Sequence, residues 1–329
     1  MSLATAAAAA EALPSAQRRL LATAGVWIIL IAAPFWMPLV GGYTDLGTRV
    51  IVLGLAAMSL NFLLGYTGMM SFGHAAYFGL GVYGAGLILK DVTASTPLAL
   101  VAGTLLGGIA GVVFGRLIAR TRGVAFAMIT IAFQQILYYV AYKWNGVTGG
   151  FDGLRGFVRQ PIHLGPLVLN IRSNDLVFYY FVLAIFALAV GAMGLILRSP
   201  FGRTLLAVRE NQRRARFLGI DVNRHVWLSF SVSAFFIAIA GALYALLNNF
   251  ADPSSMYYVL SGQFVIMAVM GGMRTFWGPL LGAAVFVVLQ NYFSSITLNW
   301  LFFVGLLFVL VVMFFPRGLL GIFQRRRAA

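Results

Sequence analysis

Pro97-Leu-Ala-Leu-Val-Ala-Gly103-Thr-Leu-Leu-Gly107-Gly-Ile-Ala-Gly111-Val-Val-Phe-Gly115-Arg116 runs for twenty residues with no charge before its last position. Its apolar residues do not alternate with polar ones, so it is not a barrel strand. As a helix, twenty residues reach about 30 Å, the thickness of a bilayer's hydrocarbon core. The stretch therefore reads as a transmembrane helix. Gly103, Gly107, Gly111 and Gly115 recur every four residues and line one of its faces. Small residues there let another helix approach closely enough for dispersion and weak Cα–H contacts to hold the pair. This is a helix-packing surface and implies no particular substrate.

The rest of the chain follows the same pattern. Of 329 residues, 61% are hydrophobic and 9% charged, against roughly 25% charged in a soluble domain. The mean hydropathy is +0.92. No soluble fold of this length buries so much apolar surface, so the solvent is lipid. In lipid each backbone polar group must be satisfied within its own segment, which selects helices. Ten spans can be drawn, at about 20–40, 48–65, 70–89, 97–116, 123–142, 176–197, 226–250, 259–273, 276–293 and 299–315. The short eighth span and the Gly271-Gly272 pair leave the count between eight and ten. The expected fold is an all-α polytopic transmembrane bundle, with one transmembrane domain over 20–315 and tails at 1–19 and 316–329. Residues 1–17 lack the basic start of a signal peptide, and Arg18 and Arg19 directly precede the first run, so that run reads as a retained helix.

Charge orients the bundle. With both termini cytoplasmic, the inner segments hold 17 of the 23 bases and the outer ones Arg49, Lys90, Lys143, Arg155, Arg159 and Arg172. That asymmetry has the sign of the positive-inside rule. It places a loop at 143–175 outside and a loop at 198–225, with seven arginines, in the cytoplasm. The net charge of +15 is then a matter of topology and anionic lipid, and nucleic acid is not an expected partner. The absence of cysteine excludes disulfides and thiolate chemistry.

Several chemistries are excluded by what is missing. Gly79-Leu-Gly81-Val-Tyr-Gly84 fits the G-x-G-x-x-G pattern, but lies in a membrane run, with Asp91 too near to hold a ribose. A P-loop needs a Lys in G-x-x-x-x-G-K-[ST]. The only lysines, Lys90 and Lys143, are preceded by Leu89 and Tyr142. The chain is not a P-loop ATPase. Its eight acids, Glu11, Asp45, Asp91, Asp152, Asp175, Glu210, Asp221 and Asp252, all fall in loops, tails or span ends. Ion-coupled transporters keep ionisable groups near mid-membrane, so a self-contained secondary transporter or facilitator is the weaker alternative. No acid–base pair or metal cluster marks a membrane enzyme, and no catalytic or metal residue is expected.

Two segments carry functional signals. Gly65-Tyr66-Thr67-Gly68-Met-Met-Ser71-Phe-Gly73-His74 breaks an apolar stretch with turn-prone and polar residues. Non-helical backbone at membrane depth persists only where protein or a water-lined cavity satisfies it, so this is a candidate pathway or gate element. His74 reads first as a neutral ring bonded inside the bundle and second as a solute contact. Asn61, Tyr66, Thr67, Gly68, Ser71, His74, Gln134, Gln135 and Gln263 are the candidate pathway or gate residues. The other segment is cytoplasmic. Ser199 as N-cap, Pro200 at N1 and Gly219 past the end predict one helix of roughly 19 residues, about 28 Å long. Leu206, Phe217 and Leu218 are placed to dock, and Arg209, Arg213 and Arg216 largely share a face. A topology signal alone does not need two helix-end signals, so a docking helix for a soluble partner is the better reading.

These segments, in this order, resemble the LivM-type permease subunits of branched-chain amino-acid ABC importers. The resemblance rests on residues 65–79, on Thr148-Gly-Gly150-Phe-Asp152-Gly153-Leu-Arg-Gly156, on Ser199 through Ile220, and on Gly241-Ala-Leu-Tyr244 with Gly271-Gly272 and Gly278-Pro279. It covers about 48–320. It implies a permease of the bacterial inner membrane that pairs with a second, LivH-like permease. Two cytoplasmic ATPase subunits, which bind the ATP and Mg, and a periplasmic solute-binding protein complete the importer. No cofactor is implied on this chain. The resemblance further implies coupling to the ATPase through Arg203, Leu206, Arg209, Glu210, Asn211, Ala215, Phe217 and Gly219. Importers generally carry a Glu-Ala-Ala…Gly motif here, whereas this chain has Arg213-Arg214-Ala215 before Gly219. The acidic position is unmatched, which leaves coupling to the helix as a whole.

Overall fold

A computed structural model describes residues 15–37, 43–164, 167–273, 275–297, 299–314 and 318–320. Residues 1–14 and most of the 316–329 tail lie outside the described residues, as do Arg274 and Arg317. The expectation that both ends are cytoplasmic rests partly on those positions.

The chain is helical almost throughout. The helices are α1 (Ser15–Trp36), α2 (Thr44–Thr67), α3 (His74–Leu87), α4 (Thr96–Ile118), α5 (Gly123–Lys143), α6 (Asp175–Arg198), α7 (Pro200–Glu210), α8 (Gln212–Phe217), α9 (Val222–Asn248), α10 (Tyr258–Gly271), α11 (Gly278–Ile296) and α12 (Trp300–Phe314). A π-helical turn, Ile88–Val92, extends α3. Among the described residues the strands are a small antiparallel hairpin in the loop between α5 and α6, β1 (Ile162–Leu164) with β2 (Leu167–Leu169).

Ends of helices follow local chemistry. The Asn174 side chain accepts hydrogen bonds from the amides of Leu176 and Val177 to start α6, and Asp221 accepts from Arg224 N to start α9. Pro97 sits in the first turn of α4 and Pro279 in that of α11, where no amide donor is needed. Gly68 closes α2 at φ 76°, with its N–H on Leu64 O.

Among the described residues, six helices are long and apolar enough to cross a membrane: α2, α4, α5, α6, α9 and α11. Shorter apolar helices run over Thr23–Trp36, Tyr258–Gly271 and Trp300–Val311. Of the eight to ten spans drawn from the sequence, six thus have spanning length among the described residues; the turn at 68–73 leaves α3 14 residues and Gly272, at φ 121°, stops α10 at 14.

α2 and α9 form the centre. α2 is buried along nearly its whole length, whereas α5 keeps most of its surface exposed. α9 packs on α2, α3 and α4, and the α3–α4–α9 contact is made by glycine. A Cβ on Gly107 would lie 2.5 Å from Ala238 Cβ and one on Gly115 2.8 Å from Phe230 Cδ1. A Cβ on Gly103 would meet Gly81 O at 2.5 Å, and one on Gly111 would overlap Ala234 Cβ. The stripe on α4 is therefore seated against α3 and α9. Gly81 and Gly84 of the G-x-G-x-x-G run belong to the same seam: a Cβ on Gly84 would lie 2.8 Å from Gly103 Cα. The outward faces of α4 and α5 carry Leu105, Ile109, Val113, Val124 and Met128, as a lipid surface requires.

The single helix expected over 200–218 is in fact two. Asn211 is extended (φ −157°, ψ 104°), and its side-chain oxygen accepts from Arg214 N at 2.9 Å. Asn favours such caps over helix interiors because its short amide competes for backbone donors. Ser199 precedes Pro200 as expected but makes no cap; its hydroxyl donates back to Ile196 O at 2.7 Å. Gly219 does follow the last turn, at φ 81°. The break removes the shared face proposed for Arg209, Arg213 and Arg216.

Candidate functional site

The break between α2 and α3 is held by a buried polar network. Ser71 Oγ accepts from Gly73 N at 3.3 Å and lies 2.8 Å from His74 Nδ1. His74 Nε2 lies 2.9 Å from Ser233 Oγ. Ser233 Oγ donates its own proton to Ser59 O at 2.6 Å, and Ser59 Oγ donates back to Ser233 O. Ser233 has no second proton, so Nε2 is the donor to it; a fully buried ring with no acid among its partners stays neutral, which leaves Nδ1 to accept from the Ser71 hydroxyl. His74 is therefore a neutral ring, fully buried, with both nitrogens satisfied within the protein. Thr67 and Ser229 hydroxyls pair at 2.7 Å, Ser261 Oγ accepts from Ala75 N at 2.8 Å, and Thr130 Oγ1 accepts from Phe72 N at 3.2 Å. Helices α2, α3, α5, α9 and α10 meet here through polar side chains.

The sequence candidates divide into two groups. Thr67, Ser71 and His74 are buried and hydrogen-bonded inside the bundle, and Gln134 donates to Met256 O. Asn61 donates to Thr275 O at 3.2 Å; its Oδ1, like Gln134 Oε1, is buried without a partner. Tyr66 is half-buried against Phe62, and Gly68 is exposed. Gln135 and Gln263 are half-buried on the outward sides of α5 and α10, and neither makes a hydrogen bond to described residues. Gln135 lines a shallow groove with Ala132, Ile136, Tyr139, Val140 and Lys143. Gln135 is thus a polar side chain in an otherwise mostly apolar groove, on the least buried of the six long apolar helices.

Ser59, Thr130, Ser229, Ser233 and Ser261 were not singled out from the sequence. Ser229 and Ser233, four apart on α9, share a face, and that spacing is the one local signal that marks them.

At one end of the bundle, α7 packs against α2, α6 and α9 through Leu205 and Val208, and Ala215 of α8 is buried. Arg203, Leu206, Glu210, Asn211, Arg213, Arg214, Arg216, Phe217, Leu218 and Gly219 are exposed, Phe217 at 91% and Leu218 at 73%. Two bare apolar side chains beside three arginines form a surface that water alone does not favour. Arg209 turns the other way and donates to Gly65 O. Arg122 ties the start of α5 to this region, donating to Gln212 Oε1 at 2.8 Å and to Asn223. Burial, and then the charge of Arg216, lower the Arg122 pKa.

Among the described residues no group of acids and histidines is arranged to hold a metal. A helical membrane bundle with a buried polar break and an exposed basic-apolar helix pair on one end is the architecture of a transport permease subunit. The chain belongs to the family of permease components of branched-chain amino acid transport systems, whose model matches residues 42–312. It is similar to the high-affinity branched-chain amino acid transport permease LivM of Salmonella typhimurium, at 25% identity over 311 residues, 89% of this chain and 73% of that protein. The Escherichia coli LivM matches to the same extent. A probable LivH permease of Methanocaldococcus jannaschii is 24% identical over 261 residues, 75% of this chain and 81% of its own. No solved structure matches the chain.

Proposed function

We propose that this chain is one membrane-embedded half of an ATP-driven importer in a bacterial inner membrane, and that its solute is a branched-chain amino acid. The family match over 42–312 carries the reading. The relatives' names supply the solute class. A bundle whose polar interior is neutral suits a zwitterion, since no fixed charge would trap it.

The partners follow from the same reading: a LivH-like second permease, two cytoplasmic ATPase subunits and a periplasmic binding protein. α1, α3, α10 and α12 complete a ten-span topology with both ends inside. α7 and α8 form the coupling element, with Leu206, Phe217 and Leu218 as its apolar contacts and Arg203, Glu210 and the exposed arginines as its rim. Gln135 and Gln263 line the solute's path, because they are the candidate amides that make no hydrogen bond among the described residues. The buried set around His74 instead holds the break rigid. ATP binding by the partners moves the coupling element and shifts the bundle between inward- and outward-facing states.

Uptake of radiolabelled leucine by cells lacking this chain tests the reading. The expected outcome is loss of high-affinity uptake, restored by the native chain and not by Leu206→Asp with Phe217→Asp at equal membrane abundance. Restoration by that double variant would overturn the docking surface, and undiminished uptake in the deleted cells would overturn the solute.

A further inference from the structure

We propose that Arg209 is a positioning residue for transport, carrying displacement of α7 into the end of α2 and on to the elbow at 272–277 between α10 and α11. The proposal rests on the permease reading above and goes beyond it, in naming the internal link that joins the cytoplasmic element to the bundle.

Of the five arginines on α7 and α8, Arg203, Arg213, Arg214 and Arg216 are exposed, and Arg209 is half-buried. Its guanidinium donates to Gly65 O, one of the last carbonyls of α2. Those carbonyls lack intrahelical partners and form the negative end of the helix dipole, so a cation is held there by charge as well as by hydrogen bond. Gly68, which ends α2, lies directly on the stem of the same side chain. A Cβ at Gly68 would be 3.1 Å from Arg209 Cγ and 3.8 Å from Arg209 Cβ. A second contact runs beside it, with Gln212 Nε2 3.8 Å from Met69 Sδ.

The far side of Gly65 is equally confined. A Cβ there would overlap Met273 O and Asn61 Oδ1. Asn61 Nδ2 donates to Thr275 O at 3.2 Å, and Thr275 Oγ1 donates to Gly272 O at 2.9 Å. Gly65 thus has Arg209 on one side and the 272–277 elbow on the other. Close-packed groups without slack transmit displacement rather than absorb it. α2 is the most buried helix, so movement at its end reaches the centre of the bundle. Arg209 is the polar tie at the start of that line.

The test uses the whole transporter, purified with its partner subunits and reconstituted in vesicles, with leucine uptake and ATP hydrolysis measured together. Arg209→Met keeps the stem that lies on Gly68 and removes the donors. It should lower leucine transported per ATP hydrolysed by about tenfold or more while the subunits still co-purify. The chain has no cysteine, and the 3.8 Å spacing of the two Cβ positions is that of a disulfide; because Gly68 lies at φ 76°, Gly68→Cys alone is the control for backbone strain. Gly68→Cys with Arg209→Cys should therefore be uncoupled when reduced and regain coupling to within about threefold of the parent when oxidised, since a covalent tie replaces the polar one.

Arg209→Met with an unchanged transport ratio would overturn the proposal. So would an oxidised cysteine pair no better coupled than the reduced one. If Arg209→Met did not co-purify, the cysteine pair oxidised before extraction would decide: recovery of the complex and of its coupling supports the tie, and loss of either overturns it. Failure of the parent complex to take up leucine with ATP would instead overturn the permease reading, so the two failures are distinguishable.

Discussion

Exchanging one methyl group across the α4–α9 seam is a demanding test of how this bundle is packed. A Cβ on Gly111 would overlap Ala234 Cβ, far inside ordinary contact, and both groups are stiff. Gly111→Ala alone must push the helices apart, and overpacking of this kind costs about 1–3 kcal/mol. Ala234→Gly alone removes one methyl and puts a glycine in a helix, which costs about 1 kcal/mol. In the double variant the added methyl faces Ala234 Cα at 3.6 Å and Ser231 O at 3.8 Å, both ordinary contacts. The methyl has changed helices and the seam is otherwise intact. The double variant should therefore be no less stable than Ala234→Gly alone, giving a coupling energy of about 1–3 kcal/mol. The assay is unfolding of the purified chain from mild detergent micelles by titrated dodecyl sulfate, followed by tryptophan fluorescence. Additive effects, with coupling under about 0.5 kcal/mol, would refute the claim that these two positions meet.

Three further expectations concern the site. His74→Phe leaves Ser71 and Ser233 short of a partner and should cost about 1–2 kcal/mol in the same titration, since hydrogen bonds between membrane helices average about 0.6 kcal/mol each and an orphaned group adds to that; an unchanged midpoint would contradict the network. Asn211→Ala removes the cap of α8, worth about 1 kcal/mol, so hydrogen exchange at 212–217 should speed about fivefold. Asp175→Asn leaves Arg159, 8% exposed and stacked 4.1 Å from the Phe178 ring, without its 2.7 Å ion pair. Because Asp175 is 57% exposed, the cost should be about 1–2 kcal/mol and not the ~3–5 of a fully buried pair, read as faster proteolysis of the loop between α5 and α6.

The glycine stripe on α4 and the break at 65–74 were legible because each is a local pattern: a period of four, and turn residues inside an apolar run. The partners of those patterns were not. Ala234 and Ala238 opposite the stripe, and Ser233 against both His74 and Ser59, are brought near by packing between segments more than a hundred residues apart. Asn211 was misread for a local reason. Signals at Ser199 and Gly219 bracket the segment, and an interior Asn weighs little in helix propensity, yet its extended backbone ends α7 and its cap on Arg214 N starts α8. That break in turn rotates Arg209 away from Arg213 and Arg216. Gln134 and Gln135 are adjacent in sequence, but a helix points them about 100° apart. One donates to Met256 O, while the other makes no bond within the described residues.

The central claim is that this bundle passes its solute only when a partner's ATP chemistry drives it. Its most direct measurement is leucine accumulation in proteoliposomes, with this chain alone or with the second permease, the ATPase subunits and the loaded binding protein. The account predicts accumulation only in the complete assembly, dependent on ATP and indifferent to ionophores. Uptake by this chain alone, driven by an ion gradient and abolished by an ionophore, would contradict it.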